Sequence, residues 1–312
     1  MNDLNPALII AGPTASGKSA MALDLAQAFR GTVINADSMQ VYRELRILTA
    51  RPGAGDEALA PHRLFGVMDA AEACSVGRWL ELAKAEIEAA WGDGRLPLVA
   101  GGTGMYIKAL CDGLAAVPEI PDAINTEVRA LYDDIGGEAF RDELAGLDPD
   151  AARRLPAGDS QRLTRAMAVV RATGLTLDAW QAQQAEGPGL AARFFTITVL
   201  PERDALYAAC EARFDAMLSE GALAEVETFL ALGLDPALPA MKAVGVPELA
   251  RHLSGDISLE DAATAAKQAT RNFAKRQMTW LRNQVDADYV VEGFYGPDQR
   301  DGVEAAVKDL IG

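Results

Sequence analysis

Short apolar runs alternate with longer mixed segments over the first hundred residues. Ala7–Ala11 (ALIIA) reads as a buried strand that runs directly into a glycine-rich loop. Ser19–Arg30 follows with helical periodicity, placing Met21, Leu25 and Ala28 on one side. Thr32–Ala36 (TVINA) predicts a second strand ending at Asp37, and Arg63–Met68 a third. Val76–Trp91 has the period of an amphipathic helix, closed by Gly92 and Gly94. Leu96–Ala100 (LPLVA) is a further strand and ends in Gly101-Gly-Thr-Gly104. Strands alternating with helices predict a parallel α/β sheet covered on both faces.

The pattern changes after Pro118. From there to Pro188 the chain is rich in Ala, Arg, Asp and Glu and carries no strand pattern. Pro118/Pro121 and Gly187-Pro-Gly189 bracket it, and a strand returns at Arg193–Leu200 (RFFTITVL). An all-helical domain at 118–189, inserted into a discontinuous core formed by 1–117 and 190–312, is the expected organisation. The last third reads as mostly helical up to a final strand at Asp288–Val291 (DYVV).

Composition removes several classes of function. No apolar run approaches 18 residues, so no membrane span is expected. The start Met1-Asn-Asp-Leu-Asn-Pro has no basic n-region, so no signal peptide is expected and the cytoplasm is the expected compartment. Cys74, Cys111 and Cys210 are too few and too far apart for a disulfide frame, and His62 and His252 too isolated for a zinc site. The net charge of −16 excludes a uniformly basic surface but not a local one. Residues 262–285 contain no acidic residue, and Lys267, Arg271, Lys275 and Arg282 share one helical face there, with Arg276 beside them.

The chemistry begins at Gly12-Pro-Thr-Ala-Ser-Gly-Lys-Ser19. This matches G-x-x-x-x-G-K-[ST] and lies between a strand and a helix, as a P-loop must. The glycines let successive backbone N–H groups point inward, and the helix N-terminus adds partial positive charge. Lys18 can reach phosphate oxygens, and the Ser19 hydroxyl can ligate Mg2+. The fold class expected is therefore a P-loop NTPase-like parallel sheet flanked by helices, with the inserted helical domain. In an ordinary nucleotidase an aspartate closing a second apolar strand would hold the magnesium. Here the early strand-ending aspartate is Asp37, which could be that ligand, a base beside the P-loop, or a turn cap with Ser38. Parallel strands share one carboxyl edge, so Asp37 and the Gly101–Gly104 loop with Thr103 should face the same crevice as the P-loop.

Five ordered blocks carry a closer likeness. GPTASGKS (12–19), ADSMQVYR (36–43), PLVAGGTGMYIKAL (97–110), DSQRLTRA (159–166) and AKRQMTWLR (274–282) together resemble the bacterial tRNA dimethylallyltransferases, with LPER (200–203) and ARFDAMLSEGALAEV (212–226) extending the likeness along nearly the whole chain. The resemblance implies transfer of a dimethylallyl group from dimethylallyl diphosphate to the exocyclic amine of the adenine just 3′ of the tRNA anticodon. It implies that residues 12–19 hold the diphosphate with Mg2+ on Ser19. Asp37 then takes the amine proton, Thr103 orients the amine and Arg213 lies near the diphosphate. It also implies tRNA contacts from Asp37, Ser38, Met39, Gln40, Thr103, Arg129 and the segment Gln161-Arg162-Leu163-Thr164-Arg165. A monomer is expected.

Some segments depart from the family pattern. ELRILTARP (44–52) stands where GMDIGTAKP is usual, His62-Arg63 replaces a His-His pair, and AVGVPE (243–248) replaces A-[IV]-G-Y-[KR]-E. None of these touches Lys18, Ser19, Asp37 or Thr103. Two other readings of the P-loop stay open on sequence: a small-molecule kinase with Asp37 as magnesium ligand, and an RNA-binding protein with a relic P-loop. A further variant would prenylate a free adenine nucleotide, against which the arginine-bearing insertion argues.

Overall fold

The computed structural model describes residues 4–182 and 189–311, so Gly187 and Pro188 of the expected bracket lie outside the described residues. The chain divides into two compact units, Met1–Cys111 with Leu190–Gly312, and Asp112–Gly189. The helical unit thus begins at Asp112 rather than Pro118.

The first unit opens with β1 (Pro6–Ala11), α1 (Lys18–Ala28), β2 (Gly31–Asn35), α2 (Ala54–Leu59), β3 (His62–Arg63), α3 (Val76–Gly92), β4 (Leu96–Gly101) and α4 (Gly104–Asp112). The helical unit holds α5 (Asp122–Ala145), α6 (Pro149–Arg154), α7 (Ser160–Thr173) and α8 (Leu177–Ala182). The first unit then resumes with β5 (Arg193–Leu200), α9 (Arg203–Ser219), α10 (Ala222–Leu230), α11 (Val246–Leu253), α12 (Leu259–Gln284), β6 (Tyr289–Glu292) and α13 (Pro297–Ile311).

Among the described residues the strands form one sheet in the order β3-β2-β4-β1-β5-β6, every neighbouring pair parallel. Alternating strand residues feed the two faces. Leu8, Ile10, Leu98, Ile197 and Val199 pack with Met21 and Leu25 of α1 and Val303 and Val307 of α13. Ile9 and Ala11 meet Ile107 of α4 and Leu281 of α12 on the other side. The expected strand over 63–68 is cut to His62–Arg63, because Leu64 (φ 63°) and Gly66 (φ 62°) adopt left-handed backbone. Beyond it, among the described residues, an isolated parallel bridge joins Tyr42 to Met68.

The helical unit has its own core. Val128, Phe140 and Leu144 of α5 pack on Leu163, Met167 and Val169 of α7.

Candidate active site

β2, β4 and β1 are adjacent, so their carboxyl ends deliver three loops side by side. β1 leads into the P-loop, β2 into Asp37, and β4 into Gly102 and Thr103.

In the P-loop, Gly17 has φ 93°, and a Cβ there would approach the Tyr295 backbone to 3.1 Å. The same Tyr295 N–H donates to Ser16 O at 3.3 Å, so the segment after β6 braces the loop from behind. Among the described residues no side chain caps α1, whose first N–H groups are therefore available to an anion. Gly12 and Pro13 are buried, and Pro13 has no N–H to offer. Ser16 is fully buried, its N–H donating to Pro13 O at 3.3 Å. Ser19 is exposed on the first turn of α1. Ala15 takes left-handed backbone (φ 63°), completing the curl.

Lys18 has its Nζ 3.3 Å from Pro13 O, and its pKa is pulled down to about 8. Burial is the main cause, opposed by Asp37 and reinforced by Arg213. Arg213, from α9, hydrogen-bonds the Thr14 hydroxyl. Burial lowers its pKa too, against the pull of Cys210 and Asp37. Cys210, one turn earlier on α9, lies with its Sγ 3.9 Å from Thr14 O, and burial pushes its thiol pKa up.

Asp37 is held at three points. Its N–H donates to Asn35 Oδ1 at 2.8 Å, Asn35 Nδ2 donates to its carbonyl at 2.9 Å, and its Oδ1 accepts from Met39 N–H at 2.9 Å. Oδ2 has no protein donor among the described residues. Thr103 Oγ1 accepts from Ser38 N–H at 2.9 Å and lies 3.3 Å from the Ser38 hydroxyl, while Thr103 N–H donates to Ala36 O at 3.1 Å. The β2 and β4 loops are therefore stitched together. Gln40 is spent locally, its Nε2 donating to the carbonyls of Thr49 and Ala50.

Thr14, Asp37, Ser38, Met39 and Arg213 line one cleft of about 220 Å³. Phe214, Met217 and Phe273 give it an apolar wall, and Lys242 and Arg276 are at its lining as well. Two of the basic face expected on α12 are engaged elsewhere: Lys267 pairs with Asp215, and Arg271 with Glu211.

In the helical unit, Arg129 on α5 and Gln161, Arg162 and Arg165 on α7 are exposed. Arg162 also lies 3.6 Å from Asp159. Leu163 departs from expectation, because its side chain is fully buried in that unit's core and is unavailable to a ligand. The Thr164 hydroxyl turns back to the Ser160 carbonyl at 2.7 Å.

Gln277 was not singled out from sequence. It is 5% exposed, its Oε1 accepts from Thr14 N–H at 2.8 Å, and its Nε2 donates to Gly102 O at 3.0 Å. A Cβ at Gly102 would fall 2.1 Å from that Nε2. One α12 amide thus ties the P-loop to the Thr103 loop. Its place within AKRQMTWLR was the available signal.

Such a crevice belongs to enzymes that grip a polyphosphate group and act on what is attached to it. Known proteins narrow the class. The profile of the IPP transferase family matches residues 40–284, and that of isopentenyl transferase residues 6–65. The tRNA dimethylallyltransferases of Rhodospirillum centenum and Paramagnetospirillum magneticum are 55% and 54% identical over 282 residues, covering 90% of this chain and 90% and 89% of theirs. The tRNA isopentenylpyrophosphate transferase of Bacillus halodurans superposes with a TM-score of 0.68 at 29% identity over 98% of both chains. A eukaryotic dimethylallyltransferase acting on tRNA, at 24% identity, shares the fold with a TM-score of 0.82 over 98% of this chain and 79% of its own. The chain belongs to the tRNA dimethylallyltransferase family.

Proposed function

We propose that this protein transfers the dimethylallyl group of dimethylallyl diphosphate to the exocyclic amine (N6) of the adenine 3′-adjacent to the anticodon in tRNA. The observation that carries the reading is the convergence of Thr14, Asp37 and Arg213 on one cleft beside Lys18, with Thr103 stitched to Ser38 at its side. The diphosphate would rest against the open N-terminus of α1 and the Lys18 ammonium, with Arg213 on its flank. As the allylic C–O bond breaks, the departing oxygens gain charge, and these cations stabilise it in a water-poor site. The adenine nitrogen forms the new N–C bond and loses a proton to Asp37 Oδ2. The anchored Oδ1 fixes the direction of the carboxylate. Thr103 orients the amine.

The residues fit a partly hydrated, phosphate-held Mg2+ rather than a cage. No cluster of three metal-ligating side chains exists among the described residues, whereas magnesium commonly takes one or two protein oxygens plus phosphate. Ser19 Oγ would hold it. Bound there, the ion would neutralise charge on the leaving diphosphate.

The exposed Arg129, Arg162 and Arg165 would supply tRNA backbone contacts, and the target base would leave its stack to reach Asp37. A tRNA substrate implies a cytoplasmic enzyme, and the reading needs one copy of the chain. No helix among the described residues is long and apolar enough to cross a membrane. The test is one reaction of protein, magnesium, dimethylallyl diphosphate and unmodified tRNA, followed by nucleoside mass spectrometry. A prenylated adenosine is expected. Phosphate transfer from ATP without RNA would mark a kinase instead, and tRNA binding without turnover a relic P-loop.

A further inference from the structure

A second cavity, of about 360 Å³, adjoins the reaction cleft and shares Arg213 and Met217 with it. Arg46 and Arg51 line it, with Glu220 as the one carboxylate. Three arginines and one glutamate therefore contribute to its lining. The Arg46 guanidinium is exposed and makes no ion pair among the described residues. The Arg51 guanidinium donates to the carbonyls of Tyr42 and Arg43 and lies against Gly66, with Glu225, Glu57 and Glu44 near enough to attract it, so Arg46 is the cation of this lining with least compensation. The loop carrying Arg46 is rigid, because the Glu225 carboxylate accepts the N–H groups of Arg46, Ile47 and Leu48 at 2.8, 2.8 and 2.9 Å. Both arginines fall in the segment 44–52 that departs from the family pattern. Arg46 stands where that pattern has Asp, so this chain has added positive charge beside a site for an anion.

We propose that this cavity is an anion-binding vestibule. It receives the diphosphate of the donor on its way to the P-loop and holds inorganic pyrophosphate on its way out, with Arg213 handing the anion between the two cavities. This inference rests on the prenyl-transfer reading. Exposed charges at the mouth of a low-dielectric cavity act on a polyanion at range, chiefly through the rate of capture, and salt screens them.

The experiment compares wild type with Arg46→Ala and Arg46→Asp. The second restores the residue of the family pattern at an exposed position, so folding should be kept, and thermal melting checks it. In the transfer assay, kcat/KM for dimethylallyl diphosphate should fall about three- to tenfold in Arg46→Asp at low salt and about half as far on a logarithmic scale in Arg46→Ala. The gap should shrink between about 50 and about 300 mM salt. Pyrophosphate, titrated calorimetrically without turnover, should bind more weakly by a similar factor. In a Lys18→Ala background, the remaining pyrophosphate binding should depend on Arg46. The KM for tRNA should not change. Unchanged donor kcat/KM together with unchanged pyrophosphate affinity overturns the vestibule, as does an effect confined to the KM for tRNA. If wild type itself fails to transfer, the prenyl-transfer reading falls, while the pyrophosphate titration still decides whether the cavity takes anions.

Discussion

Single residues set the charge of the site. Lys18 is half-buried, and desolvation pulls its ammonium pKa down to about 8, so the charged fraction falls through that pH. A bound diphosphate favours the ammonium. As pH rises through about 8 the free protein therefore loses the charge that captures the donor. kcat/KM for the donor should decline above that pH while kcat at saturating donor declines later, which a pH–rate series will show. Lys18→Ala should nearly abolish turnover yet leave tRNA binding intact, as filter binding beside the transfer assay can measure. Asp37→Ala should lower kcat by ~10²–10⁴, the cost of losing a general base. Raising magnesium should not restore it, and strong rescue would instead make Asp37 a metal ligand. The P-loop and Asp37 were legible in the sequence because each is a local pattern of a strand end and a few following residues.

Contacts between elements were less legible. Gln277 meets Thr14 across 263 positions of sequence, and no periodicity on α12 separates it from its neighbours. Asn35 reads in sequence as an interior residue of the strand Thr32–Ala36, yet its side chain holds Asp37 from both sides. The segment 243–248, divergent in sequence, proves to be a helix start: Gly245 takes φ 99°, Glu248 accepts its N–H at 3.0 Å, and Val246 is buried. The short β3 was overread because left-handed backbone at Leu64 leaves no trace in hydrophobicity. Replacing Gln277 by Leu should leave Thr14 N–H and Gly102 O unpaired, destabilising the protein by about 1–3 kcal/mol in urea unfolding. It should also lower the single-turnover rate at saturating substrates, because the two loops lose their common tie. Equal single-turnover rates would show that the amide serves folding alone.

At the scale of the whole molecule, charge must be uneven. A chain of net charge −16 can hold tRNA only through local cations. Replacing Arg162 and Arg165 by Ala should weaken tRNA binding and flatten its logarithmic salt dependence by roughly 1–2 units. Donor affinity should hardly change, and an identical slope and affinity would reduce these arginines to a solvated face. Helical content of the insertion was readable from its missing strand signals, but which α7 side chains turn inward, such as Leu163, depended on its packing with α5. The central place of β1 also matters while the chain is being made. One of its edges is covered by β4 at Leu96–Gly101, the other only by β5 at Arg193–Leu200. A ribosome must complete the entire helical unit before that second edge finds its partner. In the interval Leu8, Ile9 and Ile10 present an open, apolar strand edge, the kind that recruits other chains. The helical unit, with a core of its own, can close meanwhile. Nascent chains ending before β5 should therefore be the sticky ones, and the phosphate-binding loop, although among the first segments synthesised, is among the last to become a binding site.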